Sequence, residues 1–172
     1  MIMISGKLQK AINSQIQAEM YSANLYLAMS GYCMSKGLKG FANWLRVQYQ
    51  EETMHALKFV DYILSRGGEL ALKAIDEPPT SFGSPVEVFE KILAHEEHVT
   101  RLINQLYEVA VGEKDVAAQI FLQWFVTEQV EEEASVSEVL EQLKMVGEKE
   151  AGLFYLDKEL AARVYQPPAA NA

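Results

Sequence analysis

Phe41-Ala42-Asn43-Trp44-Leu45-Arg46-Val47-Gln48-Tyr49-Gln50-Glu51-Glu52-Thr53-Met54-His55-Ala56-Leu57-Lys58-Phe59-Val60-Asp61-Tyr62 is the stretch that decides the fold. Phe41, Leu45, Phe59 and Tyr62 fall on one row of positions three or four apart, the spacing of a buried helix face. Gln48, Glu52 and His55 continue that row through its middle, where such a face ordinarily holds apolar side chains. Glu52 and His55 stand three residues apart, so they are neighbours on the helix surface.

The same interruption recurs on both sides. Upstream the row is Leu8, Ile12, Ile16, Glu19, Ala23 and Tyr26. Downstream it is Val86, Phe89, Leu93, Glu96, Thr100, Ile103 and Tyr107, and then Phe121, Phe125, Glu128, Glu132, Val136 and Leu143. One acid in one such row is ordinarily a solvent-facing residue. Four rows broken at matched depth, about eleven to fourteen residues from each helix start at ~1.5 Å per residue, bring the acids together near the middle of a bundle.

Punctuation along the chain supports an all-α architecture within a single domain, 1–172. Helices are predicted over 5–35, 38–66, 85–112 and 115–146, with a short fifth over 150–164 and a loose tail from Gln166 to Ala172. Gly37 and the pair Gly67-Gly68 stop the first two, and Pro167-Pro168 lies beyond the fifth. Ser84-Pro85-Val86-Glu87 has the form of a capping box with proline at the first helical position. Residues 67–84 hold Gly67, Gly68, Pro78, Pro79 and Gly83, which resist helix. Such a segment reaches to about 60 Å when extended, more than the about 42 Å of a 28-residue helix, so it is expected to cross the whole bundle and leave the second and third helices parallel.

Twenty-four acidic against fifteen basic residues leave a formal net charge of -9. That balance disfavours nucleic acid and anionic membranes as partners and favours cations. The first residues lack the basic and apolar segments of a signal peptide, and no apolar run reaches ~18 residues, so a cytoplasmic protein is expected. Cys33 is the only cysteine, which excludes an intrachain disulfide.

Buried carboxylates without partners take up protons or bind a cation. Carboxylates with a single imidazole suit iron or manganese better than structural zinc. Glu52 lies between the other acids and is the natural bridging ligand of a metal pair. In Glu128-Gln129-Val130-Glu131-Glu132-Glu133, the first, fourth and fifth residues share a face that Glu51 can join, whereas Glu133 reads as solvated. Tyr26 falls on the face of Glu19 and is placed either to pack the core or to hydrogen-bond a ligand. His95 and His98 read as surface residues, and Glu113 and Asp115 as turn and cap residues that could also line a pore.

Several motifs together resemble the non-haem bacterial-type ferritins over residues 5–165. They are Gln17-Ala18-Glu19-Met20-Tyr21 through Leu25-Tyr26-Leu27, Glu51-Glu52-Thr53-Met54-His55, His95-Glu96, Leu122-Gln123-Trp124-Phe125 running into Glu128 to Glu133, and Leu156-Asp157-Lys158-Glu159-Leu160. The resemblance implies a ferritin-like four-helix bundle with a ferroxidase centre. A first iron is implied on Glu19, Glu52 and His55, and a second on Glu52, Glu96 and Glu132, with Gln129 near it and Tyr26 beside the pair. A third, transit-like site is implied on Glu51, Glu128, Glu131 and Glu132. The resemblance further implies Fe(II) oxidised to Fe(III) by dioxygen or hydrogen peroxide, a ferric mineral, and a hollow homo-oligomeric shell of twenty-four copies; no haem is expected. Bacterioferritins and rubrerythrins carry a second Glu-x-x-His, and Glu128-Gln129-Val130-Glu131 lacks that histidine, so an asymmetric centre is expected. The competing reading is a diiron oxidase or peroxidase that keeps its metals fixed.

Overall fold

The computed structural model describes residues 3–147 and 149–167. Its helices are α1 (Gly6–Ser35), α2 (Lys39–Ser65), α3 (Pro85–Gly112), α4 (Val116–Val146) and the short α5 (Glu150–Leu160). No strand occurs among the described residues. The first four helices form the bundle, and α5 packs across the start of α2 and the end of α4.

Local chemistry sets the helix starts. Ser5 Oγ accepts the Leu8 N–H at 3.2 Å to open α1. The expected capping box opens α3, with the Glu87 carboxylate accepting the Ser84 N–H at 2.7 Å and Ser84 Oγ accepting the Glu87 N–H at 3.3 Å. Asp115 caps α4 by accepting the Ala118 N–H at 3.0 Å, and the Arg66 guanidinium grips the same carboxylate through contacts of 2.9 and 3.2 Å. Asp115 is therefore a cap tied to the end of α2.

α2 has no local cap, because Leu38 offers no side-chain acceptor. The acceptor comes from far along the chain: Asp157 Oδ1 on α5 takes the N–H groups of Gly40 at 2.8 Å and Phe41 at 3.0 Å. Residue 40 must be glycine for this contact, since a Cβ there would lie 1.5 Å from the Asp157 carbonyl oxygen. Leu156 and Leu160 fix α5 on its other side by entering the core. α5 ends at Leu160, short of the expected 164, because Asn43 Nδ2 donates to the carbonyls of Leu160, Ala161 and Arg163 at 3.3, 3.3 and 2.9 Å and turns the chain. Gln166 and Pro167 are exposed coil, while the expectations placed on residues 168–172 lie outside the described residues.

The segment between α2 and α3 runs the length of α1, as its composition predicted. Gln9 Oε1 accepts the Glu69 N–H, Asn13 bonds Glu69 and Ala71, and Gln17 donates to the Ala74 carbonyl. At the far end the Tyr32 hydroxyl donates to the Gly83 carbonyl at 2.9 Å. The partners on α1 advance from residue 9 to residue 32, about 35 Å of helix at ~1.5 Å per residue. α3 consequently starts at the end of the bundle where α2 starts, and the two run parallel.

The core divides into two apolar clusters. One gathers Met29, Phe41, Leu45, Phe89, Ile92, Val136 and Leu140. The other gathers Leu8, Ile12, Ile16, Phe59, Ile103, Leu122 and Phe125. Between them, at the level of the four broken rows, the bundle is polar.

Two substitutions test the capping of α2 by α5. Asp157→Ala is expected to destabilise the protein by about 1 kcal/mol, the usual worth of an N-cap. Gly40→Ala is expected to lower the melting temperature further, since it displaces α5 itself. Thermal unfolding followed by circular dichroism measures both, and unchanged melting in both variants would show that α5 does not hold α2.

Candidate metal centre

α1 brings Glu19 to the polar layer, α2 brings Glu52 and His55, α3 brings Glu96, and α4 brings Gln129 and Glu132; none is more than 4% exposed. The outer edges of the acids are held by amides and a phenol. Gln15 Nε2 donates to Glu19 Oε1 at 2.8 Å, and Gln48 Nε2 donates to Glu132 Oε2 at 2.7 Å. Gln129 Nε2 donates to Glu96 Oε2 at 3.2 Å, and the Tyr26 hydroxyl donates to Glu96 Oε1. The Trp124 and Phe125 rings stand edge-to-face with the His55 imidazole at centroid distances of 5.4 and 5.9 Å.

The inner edges are unpaired. Glu19 Oε2, both carboxylate oxygens of Glu52, and His55 Nε2 are buried with no hydrogen-bond partner among the described residues. Buried polar atoms are rarely left so. His55 Nδ1 lies 3.6 Å from Glu52 Oε2, and His55 Nε2 lies 3.8 Å from Glu128 Oε1. These separations are long for hydrogen bonds. They suit atoms sharing an ion, since bonds of about 2.0–2.2 Å put two ligands about 3–4 Å apart.

Ligand atoms approach one another within 4.8 Å in two groups: Glu19 with Glu52 and His55, and His55 with Glu128 and Glu132. The first is the triad expected from the sequence. The second differs from the expected Glu52, Glu96 and Glu132, although all three of those share the buried layer. Glu96 is drawn toward Tyr26 and Gln129, and Glu128 reaches His55 from the partly exposed side of α4. Glu51 is turned to Arg163, whose Nη2 donates to it at 2.7 Å, and Glu131 is exposed. No separate group of ligands forms around Glu51 and Glu131 among the described residues.

Burial dominates the electrostatics. It pushes the Glu19 carboxyl up to about 8, with the Glu52 charge adding to it, and the Glu96 carboxyl up to about 8, with the Glu132 charge adding to it. Burial also raises Glu52 and Glu132 to about 7, opposed in both by His55. For His55, burial alone favours the neutral ring, but Glu128 and Glu52 outweigh it and raise its pKa. In the absence of metal the layer therefore keeps protons near neutral pH, and these protons leave when a metal binds.

Gln15 went unread in the sequence, although it stands four residues before Glu19 and so on the same face. Gln48 did lie in the α2 row, as a support whose role needed its partner on α4 to be seen. His95 departs from the surface position expected of it: it is half-buried, its Nε2 lies 2.8 Å from Ser22 Oγ, and burial together with His98 pushes its pKa down to about 4. His98 is exposed, as expected.

Known proteins share this sequence and fold. Residues 9–146 match the ferritin-like domain family. The bacterial non-heme ferritin of Bacteroides fragilis (strain 638R) is 50% identical over 161 residues, which cover 94% of this chain and 100% of that one. The bacterial non-heme ferritin of Campylobacter jejuni is 38% identical over 156 residues, covering 91% and 93%. A crystal structure of an open pore ferritin from the hyperthermophilic archaeon Archaeoglobus fulgidus matches with a TM-score of 0.93 at 52% identity, covering 94% of this chain and 99% of that one. The chain belongs to the ferritin-like superfamily, and within it to the bacterial-type non-haem ferritins. Its two triads are consistent with a ferroxidase centre, and no described helix is long and apolar enough to cross a membrane.

The raised pKa values fix the sign of a pH dependence. Each of Glu19, Glu52, Glu96, Glu132 and His55 has a folded value above its unfolded one, so the stability it contributes is complete below the unfolded value and is lost as pH climbs through the folded value. The melting temperature of the metal-free protein is expected to fall as pH rises from about 5 to about 8, and Zn(II) is expected to flatten that fall. Calorimetry in buffers of different ionisation enthalpy should register proton release on metal binding at neutral pH.

Proposed function

We propose that this protein stores and detoxifies iron, taking up Fe(II) as substrate and oxidising it with dioxygen at a pair of sites inside each subunit. The observation that carries this reading is the set of buried, unpartnered ligand atoms on Glu19, Glu52 and His55. Glu19, Glu52 and His55 hold the first iron. Glu52 bridges to the second, which Glu96 and Glu132 complete, with Glu128 reaching the pair from the side of His55. Gln129 and Tyr26 orient Glu96 through the hydrogen bonds described above.

Two Fe(II) ions each give one electron, and dioxygen with two protons leaves as hydrogen peroxide, which can itself serve as an oxidant. The carboxylates supply the negative charge that favours Fe(III), because the ion of higher charge gains more from oxygen anions. The carboxyls shed protons as iron enters, so the layer passes from proton-neutralised to metal-neutralised. Fe(III) then moves by a third, transit site of Glu51, Glu128, Glu131 and Glu132, supported by the mutual electrostatic influence of Glu51 with Glu128 and Glu132. The asymmetry of the centre suits iron that passes through.

The ferric mineral would collect inside a shell of twenty-four copies. Exposed apolar side chains on α4 and α5, among them Val116, Ile120, Val130, Phe154 and Tyr155, support assembly by supplying surface to cover. The lone, buried Cys33 fits a reducing cytoplasm.

Anaerobic Fe(II) loading followed by air tests the proposal. Rapid oxidation with iron accumulating far beyond three per subunit is expected, and Glu52→Ala or His55→Ala should each slow it by at least about tenfold, as loss of site-ordering groups commonly does. Uptake that halts near two irons per subunit would instead indicate a diiron oxidase with fixed metals.

A further inference from the structure

Glu51 and Arg163 form a contact that the ferroxidase chemistry does not use. The pair is shielded, with side chains 18% and 24% exposed, respectively. The guanidinium carbon stands 4.4 Å over the Trp44 ring, and Arg163 Nη1 is buried with no hydrogen-bond partner among the described residues. The backbone that carries it is held by Asn43, which donates to the Arg163 carbonyl at 2.9 Å. Arg163 is thus placed by its stacking surface and its anchored backbone as well as by its charge. That charge acts on Glu132 as well as on Glu51.

We propose that Arg163 is a resident counter-cation for the third site, holding Glu51 in the absence of iron so that a third metal gains this ligand only by displacing the guanidinium. The proposal rests on the transit-site reading given above. A guanidinium cannot yield by losing a proton, as a protonated carboxyl can, and must therefore move. A divalent ion beside an immobile guanidinium would meet repulsion instead of a completed acidic set. The third site is then the last to fill, and filling it swings the Arg163 side chain off Glu51 while Asn43 still holds the backbone to α2. Arg163 is a positioning residue in this scheme, acting through Glu51.

Titration of the metal-free, full-length protein with Zn(II), which is redox-silent, separates the sites by calorimetry. The wild type is expected to take two tight equivalents and a weaker third. Arg163→Gln should tighten the third by about tenfold, equivalent to about 1.4 kcal/mol, while changing the first two, which feel Arg163 only through Glu132, by much less. Adding Glu51→Gln should remove that gain. Equal third-site affinity in the wild type and Arg163→Gln would overturn the proposal. A crystal structure of the wild type with excess Zn(II) tests it without any variant: zinc on Glu51 with Arg163 swung away supports it, and zinc on Glu51 with the ion pair intact, or no zinc there, overturns it. The first two equivalents report the ferroxidase reading separately, since their absence would overturn that reading, whereas two normal equivalents with an unchanged third would overturn only the role of Arg163.

Discussion

Four carboxylates and one imidazole are buried in a single layer across the middle of a helical bundle, and most of the structure follows from making that tolerable. Removing such groups from water costs several kcal/mol per charge unless partners compensate. The two apolar clusters on either side of the layer supply the burial that offsets this. Gln15, Gln48, Gln129 and Tyr26 satisfy the outer edges of the acids and leave the inner edges free. Protons neutralise what remains until a cation replaces them.

The same constraint explains the topology. Each helix must deliver its acid at one depth, so the helices need similar length and fixed relative height. The long crossover achieves this for α3 by hydrogen bonding along α1 from Gln9 to Tyr32. Arg66 with Asp115 locks the end of α2 to the start of α4, and Asp157 sets the start of α2 from α5. The C-terminal helix is therefore part of the frame that holds Glu52 and His55 in place. Its extension then brings Arg163 to the flank of the centre.

Much of this was legible in the sequence because it rests on local periodicity. The rows on α1 and α2 were read residue by residue, and Glu19, Glu52 and His55 come together as their spacing implied. On α4 the expected row held Phe121, Glu128 and Glu132, whereas the buried face keeps Glu132 but passes through Leu122 and Gln129 in place of Phe121 and Glu128. A run of adjacent glutamates gives little guide to helix rotation, since every face of it carries an acid. On α3, Ile92 and Val99 are buried where Leu93 and Thr100 were expected, a turn of one position that still keeps Glu96 inward. Long-range partnerships had no local signal at all. Asp157 capping α2, Asn43 ending α5 and Arg163 holding Glu51 each join residues more than a hundred positions apart, and only the folded chain shows them.

On this reading the buried acids serve to bind a cation and destabilise the protein without one. Comparing the melting temperature of metal-free wild type and metal-free Glu52→Gln at about pH 8 tests it most directly, because there the wild-type carboxyl has passed its raised value of about 7 and carries a buried charge that His55 offsets only in part. The metal-free variant is expected to melt higher than the wild type, and added Zn(II) is expected to reverse the order by stabilising the wild type more, since the variant keeps only the His55, Glu128 and Glu132 group. A metal-free variant that melts lower, with both proteins indifferent to Zn(II), would contradict it.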